Sequence, residues 1–188
     1  MDHETIFTKL PVLQTERLYL RRLQKSDVAA VFDYARDPEM TRYTLWVYHR
    51  KMEDSEFYVE QMLAGYSSGK PTPWAVALKE TGQVIGTAGF IRWNPVHGRA
   101  EIGYAIGRKW WGNGYATESS RAALAFGFKR LLCNRIEAMC DVSNIASARV
   151  MEKIGMRYEG ILRQYLHAQG SYRDVKIYSI LRSEWERK

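Results

Sequence analysis

The sequence predicts an α/β fold, a mixed and mostly antiparallel sheet of about seven strands flanked by about four helices. Two observations carry this. Apolar periods follow one another as strand, two helices, three strands, helix, strand, helix and two strands. The three central strand patterns are joined by short turns rich in Gly, Pro and Asn, the mark of an antiparallel meander. Neither a repeat nor a Pro/Gly/Ser linker interrupts the order, so residues 1–188 are expected to form a single domain.

Each element has its own signal. Leu18, Leu20 and Leu23 alternate with arginines as in a strand. Ser26 then offers a cap to a helix with Val28, Val31, Phe32 and Ala35 at helical spacing, which stops before Pro38. A second helix is expected over about Asp54–Tyr66, with Gly65 and Gly69 marking its end. The strands of the meander are PWAVALK, VIGTAGFIRW and RAEIGYAIG, separated by TGQ and NPVHG turns. After Gly112-Asn113-Gly114, the residues Ala116, Ser120, Ala123, Leu124, Gly127 and Phe128 make one face of a helix. RIEAMCDV reads as a buried strand, and SNIASARVMEKIG as a helix capped by Ser143 or Asn144 and ended by Gly155. Two strands, around Tyr158–Leu166 and Arg173–Leu181, meet at Gln169-Gly170.

Composition narrows the function class. With 46% hydrophobic and 26% charged residues and no apolar run near the roughly 18 that a membrane helix needs, the chain reads as a globular protein. Its N-terminus lacks the apolar stretch of a signal peptide, and its two cysteines build no disulfide framework, so a cytoplasmic protein is expected. The four histidines, His3, His49, His97 and His167, have no metal-ligand spacing, and no metal is expected. A net charge of +7 suits a polyanionic partner, either nucleic acid or a phosphate-rich cofactor. The basic residues are scattered as pairs, which disfavours a nucleic-acid stripe, and nothing suggests a membrane partner.

The sharpest local feature is Trp110-Trp111-Gly112-Asn113-Gly114-Tyr115-Ala116-Thr117, joining a strand to a helix. Glycines let backbone N–H groups approach a ligand, and a helix start adds unsatisfied donors and a positive dipole end. The geometry favours a phosphate. A plain turn is the alternative, since the segment has neither the Gly-Lys-Ser/Thr ending of a P-loop nor a third glycine.

EIGYAIGRKWWGNGYATES, followed by NIASARVMEKIGM and later by YEG and RDVKIYSILRSEW, resembles the GNAT acetyltransferases, and within them the ribosomal-protein N-acetyltransferase-like (RimJ/RimL-type) branch. The resemblance runs from about Leu13 to Trp185. It implies the GNAT fold, acetyl-CoA as donor, no metal, and transfer of an acetyl group to a primary amine, most closely a protein N-terminal α-amine. It also allows a homodimer.

The family's phosphate signature of Gln or Arg, two residues, Gly, one residue and Gly or Ala falls on Trp111, Gly112, Asn113, Gly114, Tyr115 and Ala116, with Thr117 next. Trp111 departs from it, which keeps the backbone cradle but removes a polar side-chain contact. By the same resemblance the backbone near Tyr104–Ile106 pairs with the pantetheine arm, and the Asn144 side chain reaches it too. Asn144 serves equally well as a helix cap without any ligand.

Amine acetylation needs a base for the ammonium, stabilisation of an oxyanion and an acid for the departing thiolate. Glu101 matches the carboxylate that family members use as base, directly or through water; the same group could instead sit in an ion pair with Arg99 or an arginine of another strand. Many GNATs carry a tyrosine acid seven residues after the Asn144 position, where this chain has Met151. Ser147 matches a serine proposed to help the leaving sulfur in the RimJ/RimL branch. Trp46, Tyr48 and His49 match the region that shapes the acceptor pocket. Rival functions are acetylation of a small amine, such as a polyamine, aminoglycoside or other antibiotic, and non-catalytic binding of acyl-CoA or nucleic acid.

Overall fold

The computed structural model describes residues 6–187, so His3 lies outside the described residues. The strands are β1 (Leu13–Gln14), β2 (Leu18–Arg21), β3 (Trp74–Leu78), β4 (Val84–Asn94), β5 (Arg99–Ile106), β6 (Arg135–Asp141), β7 (Arg157–Ala168) and β8 (Ser171–Leu181). The helices are α1 (Val28–Ala35), α2 (Pro38–Thr41), α3 (Met52–Ser67), α4 (Tyr115–Lys129), α5 (Ile145–Lys153) and α6 (Arg182–Trp185). All eight strands form one sheet in the order β1-β2-β3-β4-β5-β6-β8-β7. Every neighbouring pair is antiparallel except β5 and β6.

The sheet has one strand more than expected, because the two residues of β1 are too few to show an alternation. Pro38 does end the first helix, yet it also opens α2 as a first-turn proline, with the Asp37 carboxylate accepting from Glu39 N. Ser26 is not the cap of α1. Asp27 holds the preceding turn instead, accepting from Gln24 N at 2.8 Å. Gly65 lies inside α3 rather than at its end, and Gly69, with φ of +69°, follows the helix. Asn144 rather than Ser143 caps α5, and Gly155 ends it in the left-handed conformation at φ +93°. Gln169 and Gly170 both have positive φ, which is what a two-residue hairpin turn requires.

The core lies on both faces of the sheet. On one, Trp74 meets Phe90 and Phe126 edge to face, with Trp74 and Phe126 centroids 5.2 Å apart, and the two Phe rings lie tilted against each other, so α4 is seated on β3 and β4. Gly127 allows this approach, since a Cβ there would sit 2.6 Å from Ile136 and 2.8 Å from Phe90. Helices α1 and α3 pack against each other and cover the opposite face of β4, where Tyr58 bonds Thr87.

The single parallel contact positions the site. β5 and β6 pair only through Arg99 with Arg135, Ala100 with Ile136 and Glu101 with Glu137. Beyond Glu101, β5 stays with β4 and β6 stays with β8, so the sheet splits into two arms. Opposite the start of the split, β4 carries a bulge between Phe90 and Arg92.

Candidate active site

Alternation along a strand sends Glu101 to one face of the split and Ile102 and Tyr104 to the other. The structure bears out both placements through their neighbours. Glu101 lines a cavity of about 570 Å³ with Arg92, Trp93, Glu137, Leu162 and Tyr165 among its walls. Tyr104, on the other face, reaches across to α5, its hydroxyl 2.9 Å from both the carbonyl and the Oγ of Ser147.

Glu101 is the last residue of β5 to pair with β6, and its register partner Glu137 faces the same cavity. Its carboxylate accepts from Arg92 Nη1 at 3.2 Å, so the ion pair comes from the bulged strand and not from Arg99. Burial pushes the Glu101 carboxyl above its ordinary value, Glu137 adds to the rise, and Arg92 opposes it. Glu137 itself is held by Arg135 at 2.6 Å and lies 4.0 Å from Arg99. The cavity walls therefore carry two carboxylates and two guanidiniums among apolar and aromatic side chains.

On the opposite face, Asn144 Oδ1 accepts from Ser147 N at 3.0 Å, so the side chain does cap α5. That leaves its amide NH₂ as a remaining donor. Ser147 is half-buried at the first turn of α5. Burial raises the Tyr104 phenol above its ordinary value, the bond to Ser147 working against it. Cys140, beside Ser147 on β6, has its thiol pushed up to about 11 by burial and is no nucleophile at neutral pH. Met151, where many family members have an acid, is fully buried in the core.

The loop from β5 to α4 is built to expose backbone. Gly112 and Gly114 have φ of +78° and +81°, a region that disfavours any side chain, and no atom lies within 4 Å of where a Gly112 Cβ would be. Gly114 is the N-cap of α4 and supplies no side-chain bond, so the N–H groups of Tyr115, Ala116 and Thr117 have no intrahelical partner. Asn113 donates from its side chain to Trp111 O at 3.1 Å, which tightens the loop. Trp111 donates its indole N–H to Ile106 O at 2.6 Å, tying the loop to the end of β5. The departure of Trp111 from the family signature thus has a local structural function, and it occupies the carbonyl of Ile106.

Trp46, Tyr48 and His49 lie elsewhere. Trp46 and His49 form a ring cluster with Tyr58, and His49 Nδ1 is 2.7 Å from Ser55 Oγ. Burial lowers the pKa of His49, with Asp54 opposing, so the ring packs as a neutral group. None of the three lines the cavity around Glu101 or a second one, of about 460 Å³, around Tyr43 and Arg173. Their segment is fastened to the β7–β8 turn by Gln169, which donates to the carbonyls of Thr41, Thr44 and Trp46.

Two features have no signal in the linear sequence. Glu137 joins Glu101 only through the parallel register of β5 and β6. Arg17 reaches the phosphate-type loop from 96 residues away, donating to Asn113 O at 3.0 Å. Among the described residues there is no group of three or more His, Cys, Asp or Glu placed to hold a metal, and no helix is long and apolar enough to cross a membrane.

Known proteins agree with this architecture. Residues 17–157 match the acetyltransferase (GNAT) domain family. The N-acetyltransferase p20 of Bacillus licheniformis is 34% identical over 176 residues, covering 94% of this chain and 99% of that protein. A GNAT-family acetyltransferase structure from Bacillus anthracis superposes with a TM-score of 0.82 at 31% identity, covering 93% of this chain and all of the other. The [ribosomal protein uS5]-alanine N-acetyltransferase of Escherichia coli is 25% identical over 183 residues, 92% of each chain.

Proposed function

The chain belongs to the GNAT acetyltransferase family, and we propose that it transfers the acetyl group of acetyl-CoA directly to the α-amine of a protein N-terminus beginning with alanine or serine; its Escherichia coli relative is named for the alanine of ribosomal protein uS5. The observation that carries this reading is Glu101, a half-buried carboxylate in a cavity of mixed charged, aromatic and apolar lining at the point where β5 and β6 part.

GNAT enzymes use acetyl-CoA, which supplies the acetyl group as an activated thioester. The residues present fit such a donor. Gly112–Thr117 offer a run of backbone N–H groups with open space above Gly112, suited to a pyrophosphate. Asn144 offers its remaining amide donor to an extended amide arm. Of Tyr104–Ile106, Ile106 has its carbonyl held by Trp111, so pairing with that arm falls to the residues before it.

Glu101 takes the proton from the incoming ammonium on the acceptor face of the split. An α-amine has a reference pKa of about 8, so most of it is protonated at neutral pH and removal of the proton matters. The oxyanion is met by backbone N–H groups at the split, where β5 has left β6. On the other face Ser147 returns a proton to the sulfur, its Oγ held 2.9 Å from the Tyr104 hydroxyl. Base and acid thus stand on opposite sides of one strand. Trp46, Tyr48 and His49 act indirectly, by holding the segment that Gln169 fastens to the hairpin beside the cleft. The described chain folds as one sheet from β1 to β8, which supports reading residues 1–188 as one acetyltransferase domain.

The balance of two carboxylates against two guanidiniums in the cavity gives no preference for a polyamine, which would call for an acidic lining. The test is a thiol-release assay with acetyl-CoA against peptides beginning with free Ala or Ser, N-terminally blocked lysine peptides, spermidine and aminoglycosides. Turnover on the free-α-amine peptides supports the proposal. Turnover confined to a small amine, or none on any acceptor while acetyl-CoA binds, overturns it.

A further inference from the structure

The start of α4 holds a contradiction if it is an anion cradle. Glu118 lies in the first turn of that helix, where its negative charge would meet a docked phosphate. The structure resolves this from a distant part of the chain. Both carboxylate oxygens of Glu118 are turned toward the segment between β1 and β2. Oε1 accepts from Thr15 Oγ1 at 2.6 Å and from Arg17 N at 2.9 Å, while Oε2 accepts from Arg17 Nε at 2.8 Å and lies 2.6 Å from Nη2.

The same guanidinium donates to Asn113 O at 3.0 Å and lies over the Tyr115 ring at 4.6 Å. Its Nη2 is the nearest atom to where a Cβ of Gly114 would stand, at 3.6 Å. One side chain therefore grips the loop, the first residue of α4 and the carboxylate of its first turn. Burial alone would raise the Glu118 carboxyl, but the bonds from Thr15 and Arg17 outweigh it and hold the group below its ordinary value, so it stays ionised and needs a counter-charge.

We infer that Arg17 is a positioning residue for the nucleotide end of the donor: it neutralises Glu118 and keeps that carboxylate turned toward the β1–β2 segment, so that an anion can dock at α4. This rests on the assignment of the loop to acetyl-CoA. Arg17 acts through Glu118 and Asn113, not on the reacting atoms, so its loss should appear in donor binding and not in turnover.

Calorimetric titration with coenzyme A, with steady-state kinetics alongside, tests this on four proteins: the native chain, Arg17→Ala, Glu118→Gln and the double variant. Arg17→Ala is expected to weaken coenzyme A binding and raise the KM for acetyl-CoA by about tenfold, the upper scale of one charge at a helix N-terminus, with kcat nearly unchanged. Glu118→Gln should bind at least as tightly as the native chain. The double variant should recover most of the affinity lost in Arg17→Ala, because the charge that Arg17 neutralised is gone. If Arg17 merely fastens two segments together, Glu118→Gln weakens binding as much as Arg17→Ala and the double variant recovers nothing, which overturns the inference. Arg17→Lys, which keeps the charge, should bind coenzyme A within a few-fold of the native chain; should Arg17→Ala fail to fold, a loss of about tenfold in Arg17→Lys overturns the inference. Failure of the native chain to bind coenzyme A would instead overturn the assignment of the loop.

Discussion

Replacing Glu101 by Gln removes the proposed base and little else. The amide keeps an oxygen for Arg92, and the Arg92 side chain is 66% exposed, so the lost ion pair costs the fold little. Burial chiefly, and Glu137, raise the carboxyl in the folded state. A raised carboxyl favours the folded state below its unfolded pKa, and that stability is lost as the pH rises through the folded pKa. At neutral pH the ionised group is therefore a mild liability, and Glu101→Gln should melt at the native temperature or slightly above. General bases contribute about 10²–10⁴ in rate. The lower end applies here, since an amine of pKa about 8 is already about one-tenth neutral at pH 7. The expected result in a thiol-release assay is a kcat about a hundredfold lower with acetyl-CoA affinity retained. The pH profile adds a second readout. In the native enzyme the acid limb of kcat/KM reports Glu101; in the variant that limb disappears and activity climbs with pH until the amine itself is neutral. A kcat within a few-fold of native with an unchanged profile would refute Glu101 as base.

Gly114→Trp places a large side chain at φ +81° in the cradle and should abolish acetyl-CoA binding or raise its KM severely; unchanged calorimetric binding would count against the loop. Ser147→Ala and Tyr104→Phe should each lower kcat while leaving the Kd for acetyl-CoA near native, a split read from parallel kinetics and calorimetry. Gly127→Ala forces a Cβ against Ile136 and Phe90 and should cost about 1–3 kcal/mol in denaturant unfolding. The bond from Arg135, assisted by Ser179, holds the Glu159 carboxyl at about 2, so its contribution is present above the ordinary carboxylate range and is lost as the pH falls toward about 2. Melting curves across that interval should show a shallower acid loss in Glu159→Gln than in the native chain.

Much of the fold was legible because its signals are local. The meander, the glycine loop opening α4, the Asn144 cap and the Gln169-Gly170 turn each depend on neighbours within a few residues. β1, α2 and α6 were not legible, being too short to show a period, whereas the four residues of β2 were, through the alternation of Leu18 and Leu20. The site divides the same way. Glu101 could be named from its place before the loop, but its ion-pair partner required the β4–β5 register, and Glu137 required the parallel pairing of β5 with β6. The Trp111 departure from the family signature implies a lost polar contact, whereas its indole bond to Ile106 O depends on how the loop folds back on β5. Arg17 and Glu118 are 101 residues apart and meet only because β2 and α4 flank the same edge of the loop.

The proposed reaction is acetylation of an α-amine. Mass spectrometry of a peptide carrying both a free N-terminal Ser and an internal Lys, after incubation with acetyl-CoA and the native protein, tests it directly. One added acetyl group is expected, located on the N-terminal residue, and none when Glu101→Gln replaces the native protein over the same short time. An acetyl group on the lysine alone, or an unmodified peptide despite measured acetyl-CoA binding, would contradict it.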